Sequence, residues 1–299
     1  MRHSVPGYVF ALLATIIWSG NFVASRALAT LIPPWQFNFW RWVIALIVLA
    51  PFALPHLRQD WLGMKKHWRY LSVVALLGIT LMNTLVYKAG QTTQSLNMAL
   101  LVPTSPVVIL IFSRILYAEP ITPRRLAGLV MVLSGVVLLV SRGDLERLSG
   151  LALNSGDFWA LGGAFCFGLY SLFVRRRPPE ISAIGFNAAT FTLGLLFALP
   201  FTAAEACLLP TPEISARLLT GVLYAGLGCS FAAYWLWTAA IDNIGPVRAG
   251  IMYYSLPVFA AVGSVLLLDE QITAFQVGGG VFIVGGILAA TMVPGRKKL

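Results

Sequence analysis

The sequence predicts an all-α membrane protein with ten transmembrane helices arranged as two inverted five-helix repeats. Hydrophobic residues make up 58% of the 299-residue chain and charged residues only 11%, and the mean hydropathy is +0.81. A water-soluble fold cannot bury that much apolar surface. The chain also contains apolar runs long enough to cross a bilayer, and one segment recurs 151 residues later.

The apolar runs are bounded by charged or turn-forming residues, and each is close to the roughly 20 residues that span a hydrocarbon core. The first run resembles a cleaved signal peptide, but it is longer than a signal-peptide core and contains Trp18 and Asn21, so we expect a retained helix. The connections are too short for a soluble domain. The predicted spans are residues 7–29, 35–54, 68–87, 96–117, 126–141, 156–174, 182–204, 218–240, 246–268 and 274–293.

Basic residues cluster beside alternate spans. If the N-terminus is cytoplasmic, most of the 21 Lys and Arg residues fall in cytoplasmic segments, including Lys65, Lys66 and residues 175–177. Basic segments resist translocation, so the sequence predicts that both termini are cytoplasmic. The net charge of +10 is then explained by contact with an anionic leaflet, and we expect no nucleic-acid partner.

An internal repeat divides the chain into residues 1–148 and 149–299, which together form one predicted membrane domain. Residues 99–138 align with residues 250–289 without a gap. Because each half has an odd number of spans, the two copies enter the membrane from opposite sides, an arrangement that is typical of carriers with a central site. The identical pairs include Pro106/Pro257, Glu119/Glu270, Ile121/Ile272, Thr122/Thr273, Gly128/Gly279 and Gly135/Gly286.

These residues resemble the EamA-type members of the drug/metabolite transporter superfamily. The likeness runs from Trp18-Ser19-Gly20-Asn21-Phe22 through Arg41 and Pro106 to Glu119, Gly128 and their repeats. It implies ten helices in a bacterial inner membrane, a central cavity and a small-molecule substrate. More narrowly, the chain is similar to bacterial exporters of aromatic amino acids, which implies export of aromatic or large neutral amino acids by alternating access. The alternatives are a proton-coupled exporter of another metabolite or drug, a membrane-embedded enzyme, or a channel.

Polar and aromatic side chains inside the spans are the candidate substrate contacts, because hydrogen-bonding atoms within lipid need a partner or a cavity. Trp18 and Asn21 share a helical face, as do Asn83 and Tyr87. Each residue could instead serve helix packing or interfacial anchoring. The full set is Trp18, Asn21, Asn83, Tyr87, Thr104, Ser105, Tyr170, Tyr234, Tyr253 and Tyr254.

Arg41 is the cation that lies clearly within an apolar run. It could pair with a substrate carboxylate, or it could reach the outer interface or helix-end carbonyls. All eleven acidic residues lie in loops or at span ends, so the sequence offers no intramembrane carboxylate for ion coupling. We therefore expect facilitative transport.

Candidate hinge or gate residues are Gly20, Pro103, Pro106 and Pro257. A proline inside a helix removes a backbone hydrogen bond and favours a bend, which can be a moving gate or a static kink. Gly20 could equally mark a close helix contact.

No enzymatic motif accompanies these features. Cys166, Cys207 and Cys229 lack metal-ligand spacing, and the histidines fall in predicted cytoplasmic segments. We expect no enzyme activity, no metal, no cofactor and a monomer in the lipid bilayer.

Overall fold

A computed structural model describes most of the chain, and the residues that it describes are helical or in turns, without a strand. They are residues 5–117, 122–141, 154–174, 176–244, 252–253 and 255–291. The helices in these segments are α1 Val5–Ala27, α2 Pro34–Lys66, α3 Trp68–Ala89, α4 Ser95–Leu101 continued by Ser105–Tyr117, α5 Pro123–Ser141, α6 Ser155–Val174, α7 Ala183–Leu208, α8 Ala216–Leu223 continued to Ala233–Ile244, α9 Leu256–Leu268 and α10 Ala274–Thr291.

The helices follow the predicted apolar runs. Within the described residues, seven helices are long and apolar enough to cross a membrane, and shorter apolar helices cover Leu126–Leu139, Leu256–Leu268 and Ala274–Ala289. The second helix differs most from its prediction, because it continues from residue 54 to Lys66. Charged residues end an apolar run but not a helix, since Arg, Lys and Gln are good helix formers. The predicted start of the ninth span at residue 246 lies outside the described residues.

Two helices contain wide π-helical turns. These turns occupy Leu76–Leu81 in α3 and Tyr224–Ala232 in α8. The segment of α8 from 227 to 232 lies 151 residues after the one in α3, which is the offset of the sequence repeat. Single π-helical turns interrupt the regular hydrogen-bond ladder and are frequent at functional sites.

The helices α5 and α10 pack backbone to backbone through glycine. A Cβ atom on Gly135 would lie 2.7 Å from the carbonyl oxygen of Gly279, and one on Gly286 would lie 2.6 Å from that of Gly128. The two helices are therefore antiparallel. The contact is also symmetric under the sequence repeat. The 151-residue offset relates Gly128 to Gly279 and Gly135 to Gly286, so the two glycine contacts are equivalent to each other.

The same packing scheme occurs twice in the chain. α1 packs on α8 and α9, while α6 packs on α3 and α4, and these helices correspond to one another through the offset. α2 and α7, which also correspond, pack on each other. A large buried core lies where Ser95–Leu101 meets α1, α6 and α9, and it includes Leu100 and Leu256.

The candidate hinge residues have different backbone environments. Pro103 lies in a 3₁₀ turn, Val102–Thr104, that interrupts α4. Pro106 is the second residue after that turn, and Pro257 is the second residue of α9, where a missing N–H costs no helical bond. α1 is continuous through Gly20, and the hydroxyl of Tyr224 occupies the space that a side chain there would need.

Candidate functional site

Arg41 lies at the centre of a buried polar cluster that joins α1, α2, α3 and α8. Its side chain is buried, at 2% exposure. The Nε atom donates to Ser230 Oγ at 2.8 Å, and Nη1 donates to Asn83 Oδ1 at 2.8 Å and to the hydroxyl of Tyr87. The Tyr87 hydroxyl in turn donates to Asn21 Oδ1 at 3.0 Å. We call these five residues the Arg41 cluster.

The hydrogen-bond partners of the positively charged Arg41 side chain are uncharged. Among the described residues, no carboxylate lies within salt-bridge distance of it, and no acceptor bonds to its Nη2 atom. The guanidinium carbon lies 5.0 Å from the ring centroid of Trp42 and 5.6 Å from that of Tyr87, so two aromatic rings face the cation. A buried cation without a counter-ion is costly and is a site to which an anion can bind.

The π-helical turns position the acceptors of Arg41. Asn83 follows the turn in α3, and its Nδ2 atom donates to the carbonyl oxygen of Gly78 at 3.1 Å, which turns Oδ1 toward Arg41. Ser230 lies in the turn of α8 and donates to the carbonyl of Ala225 at 3.0 Å. Its hydroxyl oxygen is therefore left to accept the bond from Arg41.

Six aromatic rings form a continuous cluster beside Arg41. The Trp18 ring lies 5.6 Å from Tyr234, 5.3 Å from Trp237 and 5.8 Å from Tyr253 between centroids. Trp18 and these three partners are partly exposed. The aromatic cluster comprises Trp18, Trp42, Phe191, Tyr234, Trp237 and Tyr253.

Trp42 connects the two clusters. Its ring packs 4.4 Å from Phe191 and 6.1 Å from Tyr234, while Arg41 lies over its face. Its Nε1 atom donates to Asn38 Oδ1 at 3.0 Å, which fixes the ring. A cation, several hydrogen-bond acceptors and broad apolar rings therefore adjoin one another, so the site offers contacts to an anion, to hydrogen-bond donors and to apolar groups.

The structure brings together most of the predicted substrate contacts. The polar and aromatic clusters contain Trp18, Asn21, Arg41, Asn83, Tyr87, Tyr234 and Tyr253. Other predicted contacts lie elsewhere, because Tyr170 packs against Gly78 and Phe167, and Thr104 donates to the carbonyl of Leu101 at 2.6 Å. Ser105 is buried where its carbonyl approaches Gly168. Tyr254 lies outside the described residues.

Sequence reasoning missed Ser230, Trp42, Phe191 and Trp237. Trp237 is three residues after Tyr234 and shares its helical face, so the spacing could have indicated it. Ser230 had no such signal, because it corresponds to Ile79 in the other half and becomes a partner of Arg41 only through the packing of α8 on α2.

A second polar network joins the two halves near the end of α1. Both carboxylate oxygens of Glu270 are used: Oε1 accepts from the backbone N–H of Ser95 at 3.2 Å, and Oε2 accepts from its hydroxyl at 2.8 Å. The Ser264 hydroxyl lies 2.5 Å from that of Ser95, and Arg26 Nε lies 3.9 Å from Glu270. We call Arg26, Ser95, Ser264 and Glu270 the Glu270 network.

Beside it, Gln276 of α10 donates to Asn97 Oδ1 at 2.8 Å, and Asn97 donates to Asp157 at 3.3 Å. Thr93 also donates to this carboxylate. Asp157 was expected at a span end, and it lies in the first turn of α6, but it is 1% exposed. Among the described residues, no group of three His, Cys, Asp or Glu side chains gathers as a metal site would require.

Comparison with known proteins identifies the family. The model of the EamA-like transporter family matches residues 5–141 and 154–292. The chain belongs to the EamA-like transporter family. It is 27% identical over 284 residues to an uncharacterized transporter of Archaeoglobus fulgidus, covering 93% of this chain and 95% of the relative. It is 21% identical over 286 residues to the uncharacterized transporter YyaM of Bacillus subtilis, covering 96% and 93%.

A solved crystal structure shares the fold of this EamA-like transporter. It superposes with a TM-score of 0.62 at 21% identity and covers 95% of this chain and 96% of its own. Family membership confirms the predicted resemblance at the level of the EamA family. It makes the protein a multi-pass membrane transporter with a small-molecule substrate and a lipid environment, and it is consistent with the expectation that the protein is not an enzyme.

Proposed function

We propose that this EamA-like transporter exports aromatic or large neutral amino acids across a bacterial inner membrane by facilitative alternating access. The observation that carries the proposal is the buried Arg41 guanidinium, which lacks a carboxylate partner among the described residues and adjoins the aromatic cluster. Together they match the two ends of an aromatic amino acid.

In this mechanism the substrate carboxylate binds at Nη2 of Arg41. The N–H groups of Nη2 are the free donors, and a charge-assisted hydrogen bond from arginine to a carboxylate is strongest where water is excluded. The side-chain oxygens of Asn21 and Asn83, which already face Arg41, are acceptors for the α-ammonium group. The substrate ring would pack edge-on or offset against Trp18 and Tyr234.

Alternating access would come from two inverted repeats of five helices each, with both termini in the cytoplasm. The reciprocal glycine contacts of α5 and α10 and the equivalent π-helical turns support this arrangement. In that orientation the Glu270 network lies at the outer end of the bundle. We propose that the state described here is closed toward the outside and that breaking the network opens it.

A second candidate is a proton-coupled exporter of another metabolite or drug. The observation that favours it is Asp157, a carboxylate that is 1% exposed and hydrogen-bonded to Thr93 and Asn97. Buried carboxylates in transporters often carry the coupling proton. A transport rate that follows a pH gradient would support this candidate.

The test is efflux from liposomes that contain the purified protein and a panel of labelled amino acids, with and without an imposed pH gradient. We expect saturable efflux of aromatic and large neutral amino acids at a rate that is the same with and without the pH gradient. Efflux that follows the gradient would contradict the facilitative mechanism. If no amino acid leaves faster than from protein-free liposomes, the proposed substrate class is wrong.

A further inference from the structure

The last turns of α2 extend beyond the membrane-spanning length. α2 has 33 residues and is therefore about 50 Å long, whereas a hydrocarbon core is about 30 Å thick. The outer face of its first part is apolar, with Trp40, Ile47 and Leu54 50%, 67% and 61% exposed. These residues recur every seven positions and so share one face of the helix. That face is lined by lipid chains in a membrane.

The same face becomes basic directly after Leu54. Arg58, Trp61 and Lys65 continue the helical spacing from Leu54, and all three are exposed. Arg58 lies about 6 Å and Lys65 about 17 Å along the axis from Leu54, so the two cations follow the apolar stripe by about one turn and three turns. Tryptophan is the residue that prefers this boundary.

The acidic residues nearby are turned away from this face or occupied. Asp60 is buried, and it accepts from the backbone N–H of Ser182 at 2.9 Å and from its hydroxyl. Glu180 pairs with Lys66 at 3.0 Å. A backbone hydrogen bond and the bond from Lys66 lower the pKa of Glu180, so its charge stays with Lys66 at neutral pH. Among the described residues, neither Arg58 nor Lys65 makes a salt bridge.

We infer that Arg58, Trp61 and Lys65 bind the headgroup of an anionic phospholipid whose acyl chains lie along Leu54 and Ile47. The Arg58 guanidinium and the Lys65 ammonium provide two positive charges for the headgroup phosphate and its neighbours. The apolar stripe provides the surface for the chains of the same molecule. A soluble phosphate would gain nothing from that stripe, so the site selects a lipid.

The test is native mass spectrometry of the full-length protein after equilibration in equal amounts of phosphatidylglycerol and phosphatidylcholine. The readout is the ratio of the two lipids retained on the protein. Each basic residue near an anionic surface contributes roughly a fivefold preference. We therefore expect the double variant Arg58→Gln/Lys65→Gln to lose about thirtyfold in preference for phosphatidylglycerol. Arg217→Gln, which removes an exposed cation from the first turn of α8, is the matched control and should retain it.

Each of the following results would overturn the inference. One is equal retention of both lipids by the wild-type protein, and another is a double variant that keeps the full preference for phosphatidylglycerol. A third is an Arg217→Gln variant that loses as much of this preference as the double variant. Adding soluble glycerol phosphate distinguishes the headgroup chemistry from lipid binding, because displacement of the retained lipid by it would also contradict the site. None of these readouts depends on transport, so the inference and the proposed function fail separately.

Discussion

Arg41 combines two properties that rarely occur in one residue of a membrane helix: full burial and an unused pair of N–H donors. Its other donors are bound by Ser230, Asn83 and Tyr87, so the side chain cannot swing to the interface without breaking three bonds. The guanidinium is thereby held in one orientation with Nη2 available. A fixed donor pair loses little entropy when an anion binds.

The first prediction is that Arg41→Lys weakens recognition of the substrate carboxylate. Lysine keeps the charge but cannot bind Ser230 and a carboxylate in the same geometry. Losing one partner of a buried charged pair costs about 2 kcal/mol or more, so we expect at least a thirtyfold weaker affinity for phenylalanine. The measurement is the ligand-dependent rise in unfolding temperature.

Phenylalanine amide, which lacks the carboxylate, should not stabilise the wild-type protein, and Arg217→Lys should behave like wild type. If phenylalanine and phenylalanine amide stabilise the protein equally, Arg41 does not bind a substrate carboxylate. Unchanged binding by Arg41→Lys would show the same.

The sequence distinguished Arg41 from every other cation because it interrupts an apolar run, but two interpretations stayed open. The outer interface was one of them, since Arg41 is only seven residues into α2. Its burial depends on α8, whose Ser230 accepts its Nε–H, and no property of residues near Arg41 in the sequence indicates that contact. Residues that matter through long-range packing, such as Ser230 and Phe191, are therefore those that sequence analysis missed.

At the scale of elements, the π-helical turn in α3 depends on Asn38. Its Nδ2 atom donates to the carbonyl oxygens of Ile79 and Thr80, both at 3.1 Å, and its Oδ1 atom accepts from Trp42. A wide turn leaves carbonyls that a regular helix would bind, and in lipid they need another donor. Asn38 supplies it from the neighbouring helix.

The second prediction is that Asn38→Leu destabilises the protein by about 3 kcal/mol or more, because it removes the hydrogen bonds of Asn38 to four buried polar groups. The neighbouring Gln36→Met should be neutral or stabilising, since no described residue accepts a hydrogen bond from the buried Nε2 atom of Gln36. Unfolding temperatures in the same detergent compare the two. Similar losses for both variants would contradict the role of Asn38.

The third prediction concerns the glycine contact of α5 and α10. Gly286→Ala places a Cβ atom 2.6 Å from a backbone oxygen of α5 and should cost about 1–3 kcal/mol through overpacking. Gly285→Ala is the control on the same helix, because its nearest atom is the flexible Met131 Cε at 3.5 Å. We expect a clear fall in unfolding temperature for the first variant and none for the second. The reverse order would refute the proximity of the two backbones.

The positions of these helices were predictable because apolar runs of the right length leave few alternatives in a membrane. The π-helical turns were not, since Leu76–Leu81 is a mainly apolar segment without a proline or any other residue that marks a wide turn. Their cause is the set of donors that the neighbouring helices supply. The extension of α2 was not predictable from the apolar run, because charged residues end a membrane span but not the helix that contains it.

For the whole molecule, the Glu270 network joins the two halves at one end of the bundle. It connects the loop after α9 to the first residue of α4 and, through Arg26, to the end of α1. Hydrogen bonds to a charged group contribute about 1.5–3 kcal/mol, which is enough to decide between two states of similar free energy.

The fourth prediction is that Glu270→Gln opens this end. Met98→Cys, a fully buried position of α4, reports the opening through its rate of maleimide labelling in a Cys207→Ser background, which removes the exposed native thiol. We expect about a tenfold faster rate with Glu270→Gln. Glu213→Gln, an exposed acidic residue before α8, should leave the rate unchanged. A slow rate in the Glu270→Gln protein would show that other contacts keep the end closed.

The glycine joint between α5 and α10 also bears on how such a chain can be assembled. Exchanging the two helices through the 151-residue offset converts each contact into the other: Gly128 against Gly286 becomes Gly279 against Gly135. A surface with this property is self-complementary in the way that the interface of a symmetric dimer is. Two copies of a single half would meet through the same pair of glycine contacts, because each half contains both of the glycines that the contacts need.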